Sequence, residues 1–399
     1  MSNTERHEQP ELTLPGRREF SFLLSCVRSF FESETPLPPA LDLDWNTLIQ
    51  LAERHAVIGL LFRALERRND TPKAMLSYLK QRTLESARFD LTLSVELVRL
   101  EQLFTSHGIQ MVSLKGPALG SVLYGNAALR SSSDLDLLIR PGDVLPAKKL
   151  LEDSGFFMQS FLPSKEAEAC LVRRDSQITF SRPITSDSDL LFVDLHWRLL
   201  PGYFPKSFDE QELWLQLNRV PIGETSVSTL SPEHLLLFLC AHGTKHLWDR
   251  LGWICDVARL VQLDLGIDWS DVFAKAKKTN TSRMLSLGLL LATKMLGVRL
   301  PEVAHERAHS DKLALTLMRK IEKRLYDVVL TPATAVESAV FSRHAFEGRV
   351  QRLRFVVGVF LEPTEAEYQA LKLPIRLHGI YYLFRPLRLT AKYVQRLFE

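Results

Sequence analysis

The sequence predicts an α+β fold: a small mixed sheet in the middle of the chain, flanked by N- and C-terminal helical regions. Three observations predict it. From about Glu19 to Ser106 apolar residues recur at spacings of three and four, as in Leu93, Leu97, Leu100 and Phe104, which is the pattern of helices with one buried face. Between 107 and 230 the period shortens to two in several short runs. From Ser231 onward the helical spacing returns, opening on Ser-Pro-Glu with the serine as cap and the proline in the first turn.

Taken in order, residues 1–18 (MSNTERHEQPELTLPGRR) are charged and lack an apolar core. They read as a disordered leader rather than a signal or transit peptide. The helical region 19–106 divides into segments 19–32, 45–67 and 73–106, with Asp44 and Thr71 placed as caps. In the α/β core, 107–230, the runs 109–114, 134–139, 177–181 and 191–199 read as strands, and 117–125 and 144–155 as intervening helices. The helical C-terminal region covers 231–399. No internal repeat or low-complexity run interrupts the chain.

At 399 residues and 46% hydrophobic composition there is ample material for a large core, and the chain exceeds the size at which one core stops growing. The longest apolar run, Leu235–Ala241, is seven residues, whereas a membrane span needs about 20. Net charge is only +3, which gives no broad basic surface for nucleic acid. Cys26, Cys170, Cys240 and Cys255 are scattered with no Cys-x-x-Cys pair. They read as buried free thiols of a reducing, cytoplasmic compartment.

The sharpest chemical feature is Asp134-Leu135-Asp136 within a strand. Residues i and i+2 share a face with Cα atoms roughly 6.5 Å apart, and the opposite face carries Leu135, Leu137 and Ile139. Two such carboxylates repel by about 3 kcal/mol at an effective dielectric of 20, which a cation between them relieves. Mg²⁺ held through carboxylates and substrate phosphates suits the pattern. Taken alone, the pair equally suits the solvated face of an edge strand.

LFVDLHWRL repeats the design, with Phe192, Asp194, His196 and Arg198 on one face and Val193, Leu195, Trp197 and Leu199 on the other. A third carboxylate on a neighbouring strand would complete a site for two metal ions, as phosphoryl and nucleotidyl transfer use. Lys115-Gly116-Pro117 closes a strand before a helix. Gly116 permits a tight turn, the helix N-terminus offers N–H groups to a phosphate, and Lys115 adds a charge.

The stretch VSLKGPALGSVLYGNAALRSSSDLDLLIR (112–140) resembles the signature of the bacterial uncharacterised nucleotidyltransferase family, a branch of the polymerase-β-like nucleotidyltransferase superfamily. FVDLHWRL (192–199) and LCAHGTKHLWDRLGWICDVARLV (239–261) are similar to later blocks of that family, in the same order, and so is LPIRLHGIYYLFRPLRL (373–389). The resemblance implies a sheet of nucleotidyltransferase type, Asp134 and Asp136 as paired metal ligands and Asp194 as the third carboxylate, which would act as general base or as the ligand nearest the acceptor. It also implies Mg²⁺ (or Mn²⁺), a nucleoside triphosphate expected to be ATP, and pyrophosphate as product. Arg130 and the serines up to Ser133 would line the triphosphate path, with a plain polar loop as the alternative; His196 joins the nucleotide-binding set. One departure is that the phosphate turn is Lys115-Gly116, where the superfamily has Gly-Ser, and Asp134 follows Gly116 by 18 residues.

His242 and His246 share a helix face with Lys245 between them. No glutamate stands where a metalloprotease needs one, so zincin chemistry is excluded. His242, Lys245 and His246 either touch nucleotide or acceptor, or form a packed pair joining helix to sheet. Trp248, Leu251 and Trp253 read as packing rather than a stacking platform. The segment 341–399 holds ten Lys/Arg against five acidic residues. It reads as packed helices, with a membrane-surface or RNA-facing element as the alternative.

Two other functional classes stay open. A small-molecule kinase would explain Val193-Asp194-Leu195-His196, but WRLLPGYFP (197–205) lacks the downstream Asn and Asp such a loop needs. A non-catalytic helical scaffold or RNA-binding protein with a relic core would be expected to have lost a carboxylate. The acceptor, the nucleobase and the oligomeric state are not readable.

Overall fold

The computed structural model describes residues 16–32, 36–126, 129–159, 176–184, 189–202, 204, 210–263, 265–327, 335–363, 365–371 and 373–398. The leader over residues 1–15 and Cys170 lie outside them. Helix α1 (Arg17–Phe31) begins two residues earlier than the pattern placed it. The carboxylate of Asp44 caps α2 (Trp45–Arg54), accepting the N–H groups of Asn46 and Thr47.

The 45–67 segment, expected as one helix, is two. His55–Val57 separate α2 from α3 (Ile58–Leu65), and Ala56 takes a left-handed φ of 56°. The cause is tertiary: the His55 ring Nδ1 accepts the N–H of Leu251, and the His55 carbonyl that of Gly252. Helix α4 (Lys73–Ser106) follows, and Thr71 does not cap it, because Pro72 occupies the flanking position with no side-chain bond.

Next come β1 (Val112–Ser113), α5 (Gly116–Tyr124), β2 (Leu135–Leu138), α6 (Val144–Asp153), β3 (Phe157–Met158), β4 (Gln177–Pro183) and β5 (Leu190–His196). Then follow α7 (Glu210–Leu215), β6 (Leu217–Ile222) and β7 (Thr225–Leu230). The strands form one seven-stranded mixed sheet of order β3-β4-β5-β2-β1-β7-β6. β2 runs parallel to β5, and β1 to β7; the other neighbours are antiparallel.

Three strand details differ from the sequence reading. The 191–199 strand stops at His196, and the chain bends, so that Trp197 stays in the core under the sheet while Leu199 packs with helices on the other side. The β6–β7 hairpin was not read at all. Its Pro221 argues against a central strand, but β6 is the sheet edge, where proline is tolerated. Gly223, at φ 60°, makes the turn between Ile222 and Thr225. β3 is two residues long, too short to leave a periodic signal.

One apolar cluster lies under one sheet face. Leu135, Leu137 and Ile139 meet Val193 and Leu195 there, closed by Leu93, Leu97, Leu100 and Phe104 of α4. A second cluster covers helices α1–α3 together with α8 (Pro232–Lys245), α9 (Leu251–Gln262), α11 (Ser282–Leu296) and α13 (Lys312–Leu325). Ser231 caps α8 as the sequence indicates, accepting the N–H of His234. Arg28 of α1 donates to the carbonyls of Lys294 and Met295 at the end of α11, fastening the first helix to a late one.

Helices α10 (Trp269–Thr279), α12 (Glu302–Ser310), α14 (Ala335–Ala345), α15 (Arg349–Leu361), α16 (Glu365–Ala370) and α17 (Tyr381–Phe398) complete the described chain. Among the described residues no helix is long and apolar enough to cross a membrane. Cys26, Cys240 and Cys255 are buried free thiols, and burial pushes the Cys26 thiol up to about 12.

Candidate active site

The sheet face opposite the α4 core carries the polar residues. Alternation along β2 puts Asp136 on this face, along β5 Asp194 and His196, and along β4 Gln177 and Thr179. Parallel register sets Asp136 beside Asp194 and Leu138 beside His196. The antiparallel register of β4 sets Thr179 beside Asp194 and Gln177 beside His196.

Asp194 accepts from the Thr179 hydroxyl at 2.6 Å and from the Gln177 amide at 2.9 Å. Asp136, only 3% exposed, lies 3.1 Å from the Nε2 of His196 and 3.0 Å from the Lys115 ammonium. Burial is the largest influence on Asp136 and opposes its ionisation. Lys115 and His196 together outweigh burial and hold the carboxyl below the usual carboxylate range. Asp134 accepts from Ser133 at 3.0 Å. Its pKa is raised, first by burial and then by the charges of Asp136 and Asp194.

Asp136, Asp194 and His196 each offer one ligand atom, all within 4.8 Å of one another, so the three can hold a metal ion. Asp134 lines the same cavity but stands outside that trio. The sequence pairing of Asp134 with Asp136 thus finds its tightest partners across the strands rather than along one.

The turn into α5 closes one side. Gly116 sits at φ 64°, and a Cβ there would lie 3.2 Å from the carbonyl oxygen of Asp134, so both backbone conformation and space favour glycine. Arg130 and Ser131–Ser133 line the cavity, and Arg130 is also held by fixed partners. Its Nε donates to both oxygens of Asp256, at 3.0 and 3.2 Å, and its Nη1 donates to the carbonyl of Gly116 and to Ser132. Tyr124 donates to the same Asp256 carboxylate. Arg130 therefore ties α9 to the Lys115-Gly116 turn.

The opposite wall is the end of α8 and the start of α9. His242, Lys245 and His246 all line the cavity, whose volume is about 410 Å³. The His242 ring lies 4.6 Å from that of His246 and 5.3 Å from Trp253. Burial, followed by Lys115 and the neighbouring His246 and Lys245, holds His242 well below the ordinary histidine pKa. Burial, Lys245 and Lys115 lower His246 to about 3. Lys245 is lowered by burial and Lys115, while Asp136 and Asp194 act the other way. The histidines pack on each other and on Trp253 and line the cavity that holds the carboxylates. Trp248 and Leu251 are buried as expected, whereas Trp253 is a wall of the cavity.

Three contributors escaped the sequence reading. Gln177 and Thr179 occupy the alternate positions of QITFS, a signal present but uninterpretable without the register to β5. Asp256 carries no local signal, because its partnership with Arg130 spans 126 residues.

A family model described as an uncharacterised nucleotidyltransferase matches residues 42–297, well over half of the chain. The chain belongs to the uncharacterised nucleotidyltransferase family. All of the site residues named above lie within the matched span. As a member of this family the protein is a transferase of nucleotidyl type. Among solved structures it is similar to an antigenic nucleotidyltransferase-like protein from Paracoccidioides brasiliensis, at 16% identity, with 53% of this chain and 95% of that chain covered and a TM-score of 0.32. No curated protein matches.

Proposed function

We propose that this nucleotidyltransferase moves a nucleoside monophosphate from ATP to a hydroxyl of a small molecule, sugar, peptide or protein, depends on Mg²⁺ or Mn²⁺, and releases pyrophosphate. The observation that carries the reading is Asp136 beside Asp194 on parallel strands, with Asp134 on the same cavity and a wall of Lys115, Lys245 and two imidazoles facing them. The donor set fits a divalent cation. Its carboxylate oxygens suit Mg²⁺ or Mn²⁺, and the His196 ring nitrogen, 3.1 Å from Asp136, is the third donor of the trio. Lys115 lies 3.0 Å from Asp136, at the edge of the same donor set. Asp136, Asp194 and His196 would hold the cation, with Asp134 a further carboxylate on the same cavity; when bound, the cation neutralises phosphate charge and acidifies a coordinated hydroxyl.

The remaining steps belong to the chain. Lys115 and the N-terminus of α5 bind the triphosphate, with Lys245 facing it from the other wall. Arg130 fixes the Gly116 turn by its bond to the carbonyl. Asp194, oriented by Thr179 and Gln177, keeps lone pairs on both oxygens and accepts the acceptor hydroxyl proton. The hydroxyl oxygen attacks the α-phosphorus, and the bond to the β-phosphate oxygen breaks.

The test uses ATP labelled at the α- or, separately, the γ-phosphate, with Mg²⁺ or Mn²⁺ and a cell extract as acceptor pool. Transfer of α-label that disappears in Asp136→Ala and Asp194→Ala proteins is the expected result. Transfer of γ-label alone would establish a kinase and overturn the reading.

A further inference from the structure

We propose that the C-terminal helices, residues 341–391, form a peripheral docking surface for an anionic lipid bilayer. The proposal rests on burial, spacing and charge in this segment and is independent of the reaction assigned to the cavity. On α15 the residues Val350, Leu353, Val357 and Leu361 recur at spacings of three, four and four, and all four are exposed, Val350 at 70% and Leu353 at 65%. The opposite side of α15 buries Phe355 and Gly358, so the helix is packed on one face and leaves an aliphatic stripe on the other. Helix α17 repeats this: Tyr381 is buried, while Leu383 and Leu387, one turn apart, are 71% and 70% exposed. Leu377 and Ile380 extend the apolar exposure just before it. The guanidinium of Arg385 donates to the Val359 carbonyl, clamping α17 against α15.

Charge selects the occupant. Among the described side chains between 341 and 391, every exposed charged residue is an arginine: Arg343, Arg349, Arg354 and Arg376. Among the described acidic side chains here, Glu347 and Glu362 are half-buried, and Glu367 is fully buried between Arg385 and Arg388, at 3.0 and 2.5 Å, so it adds no negative charge to the surface. Exposed aliphatic stripes whose exposed charged neighbours among the described residues are all arginines, with the two half-buried glutamates beside them, match the acyl–headgroup boundary of an anionic membrane, where apolar side chains enter and arginines meet phosphate. A second copy of the chain would bring arginine against arginine. Single-stranded RNA is held by aromatic stacking platforms, and Tyr382 is the only large aromatic exposed here among the described residues.

The experiment is co-sedimentation of the full chain with phosphatidylcholine vesicles, with and without phosphatidylglycerol. Binding is expected only with phosphatidylglycerol, weakening as salt rises. Leu353→Glu/Val357→Glu changes two exposed positions and should lower the partition coefficient at least tenfold, with the circular dichroism melt unchanged. Should that pair melt early, Leu383→Glu/Leu387→Glu supplies the same readout. Arg349→Glu/Arg354→Glu should cost about fivefold per basic charge removed. Absence of binding to anionic vesicles at low salt overturns the proposal, as does wild-type binding by the glutamate variants. A dimer in sedimentation equilibrium that Leu353→Glu abolishes, or tight binding of poly(U) with no vesicle binding, reassigns the surface and equally overturns it.

Discussion

Replacing Asp256 with alanine strands the Arg130 guanidinium beneath the active-site turn. The pair is nearly sealed, with side-chain exposures of 13% for Arg130 and 3% for Asp256 at a separation of 3.0 Å. Burial opposes the charge on Arg130, and Asp256 restores it, leaving the Arg130 pKa above its ordinary value. At an effective dielectric of 20, the attraction at about 4 Å between charge centres is about 4 kcal/mol. Removing one partner also leaves the other charge without its compensation, so the expected loss of stability is about 3–5 kcal/mol. Urea unfolding followed by circular dichroism measures it. Asp256→Asn, which keeps an acceptor for Arg130 and Tyr124 but not the charge, should fall between wild type and Asp256→Ala. Arg130→Met/Asp256→Leu should recover most of the loss, because buried pairs replaced as a unit by apolar side chains are often neutral. An Asp256→Ala protein less than about 1 kcal/mol below wild type would refute the reasoning, since a pair so weak is effectively hydrated.

Three further outcomes are expected. His55 is held at about 3, chiefly by burial and then by Arg54; because its folded pKa is depressed, its contribution is complete above about pH 6.5 and is lost as pH falls toward 3, by about 1.4 kcal/mol per unit. The urea midpoint of wild type should therefore fall more steeply from pH 6 to 4 than that of His55→Asn, and identical slopes would remove His55 from the account. At Gly243 a Cβ would lie 2.6 Å from the buried Trp248 indole, so Gly243→Ala should destabilise by about 3 kcal/mol and red-shift tryptophan emission, whereas an unchanged melt and spectrum would count against this packing. Thr179→Val removes the 2.6 Å bond to Asp194 and should lower kcat about tenfold, the equivalent of one hydrogen bond of about 1.4 kcal/mol, with KM for nucleotide little changed; a KM effect alone would mean that Asp194 is positioned by other groups.

The legible parts of this protein were those governed by neighbours in sequence. Alternation along 134–139 and 191–196 assigned the correct faces to the aspartates and to their apolar companions, because a strand side chain's direction depends only on its parity. Caps at Asp44 and Ser231 were readable for the same reason. Contributions from distant partners were not. The break at His55 exists because α9 donates two backbone N–H groups to it, and nothing near residue 55 records that. Arg130 is anchored by a carboxylate 126 residues away, and nothing near residue 130 records that partner. The third member of the metal-capable trio also depends on register: His196 reaches Asp136 only because β2 and β5 pair in parallel as they do.

The bond from Arg28 to the end of α11 has a consequence for biosynthesis. It links residues 267 positions apart, so although α1 packs early on α2 and α3, the side of it that meets α11 waits while most of the chain is still being made. At ribosomal rates of about 5–20 residues per second that interval is roughly 15–50 s. During it Phe20, Leu23 and Val27, all fully buried in the finished protein, have no late helix to cover them. Protection of the α11-facing side of α1 during synthesis should therefore appear only after α11 has emerged, later than the packing of α1 on α2 and α3.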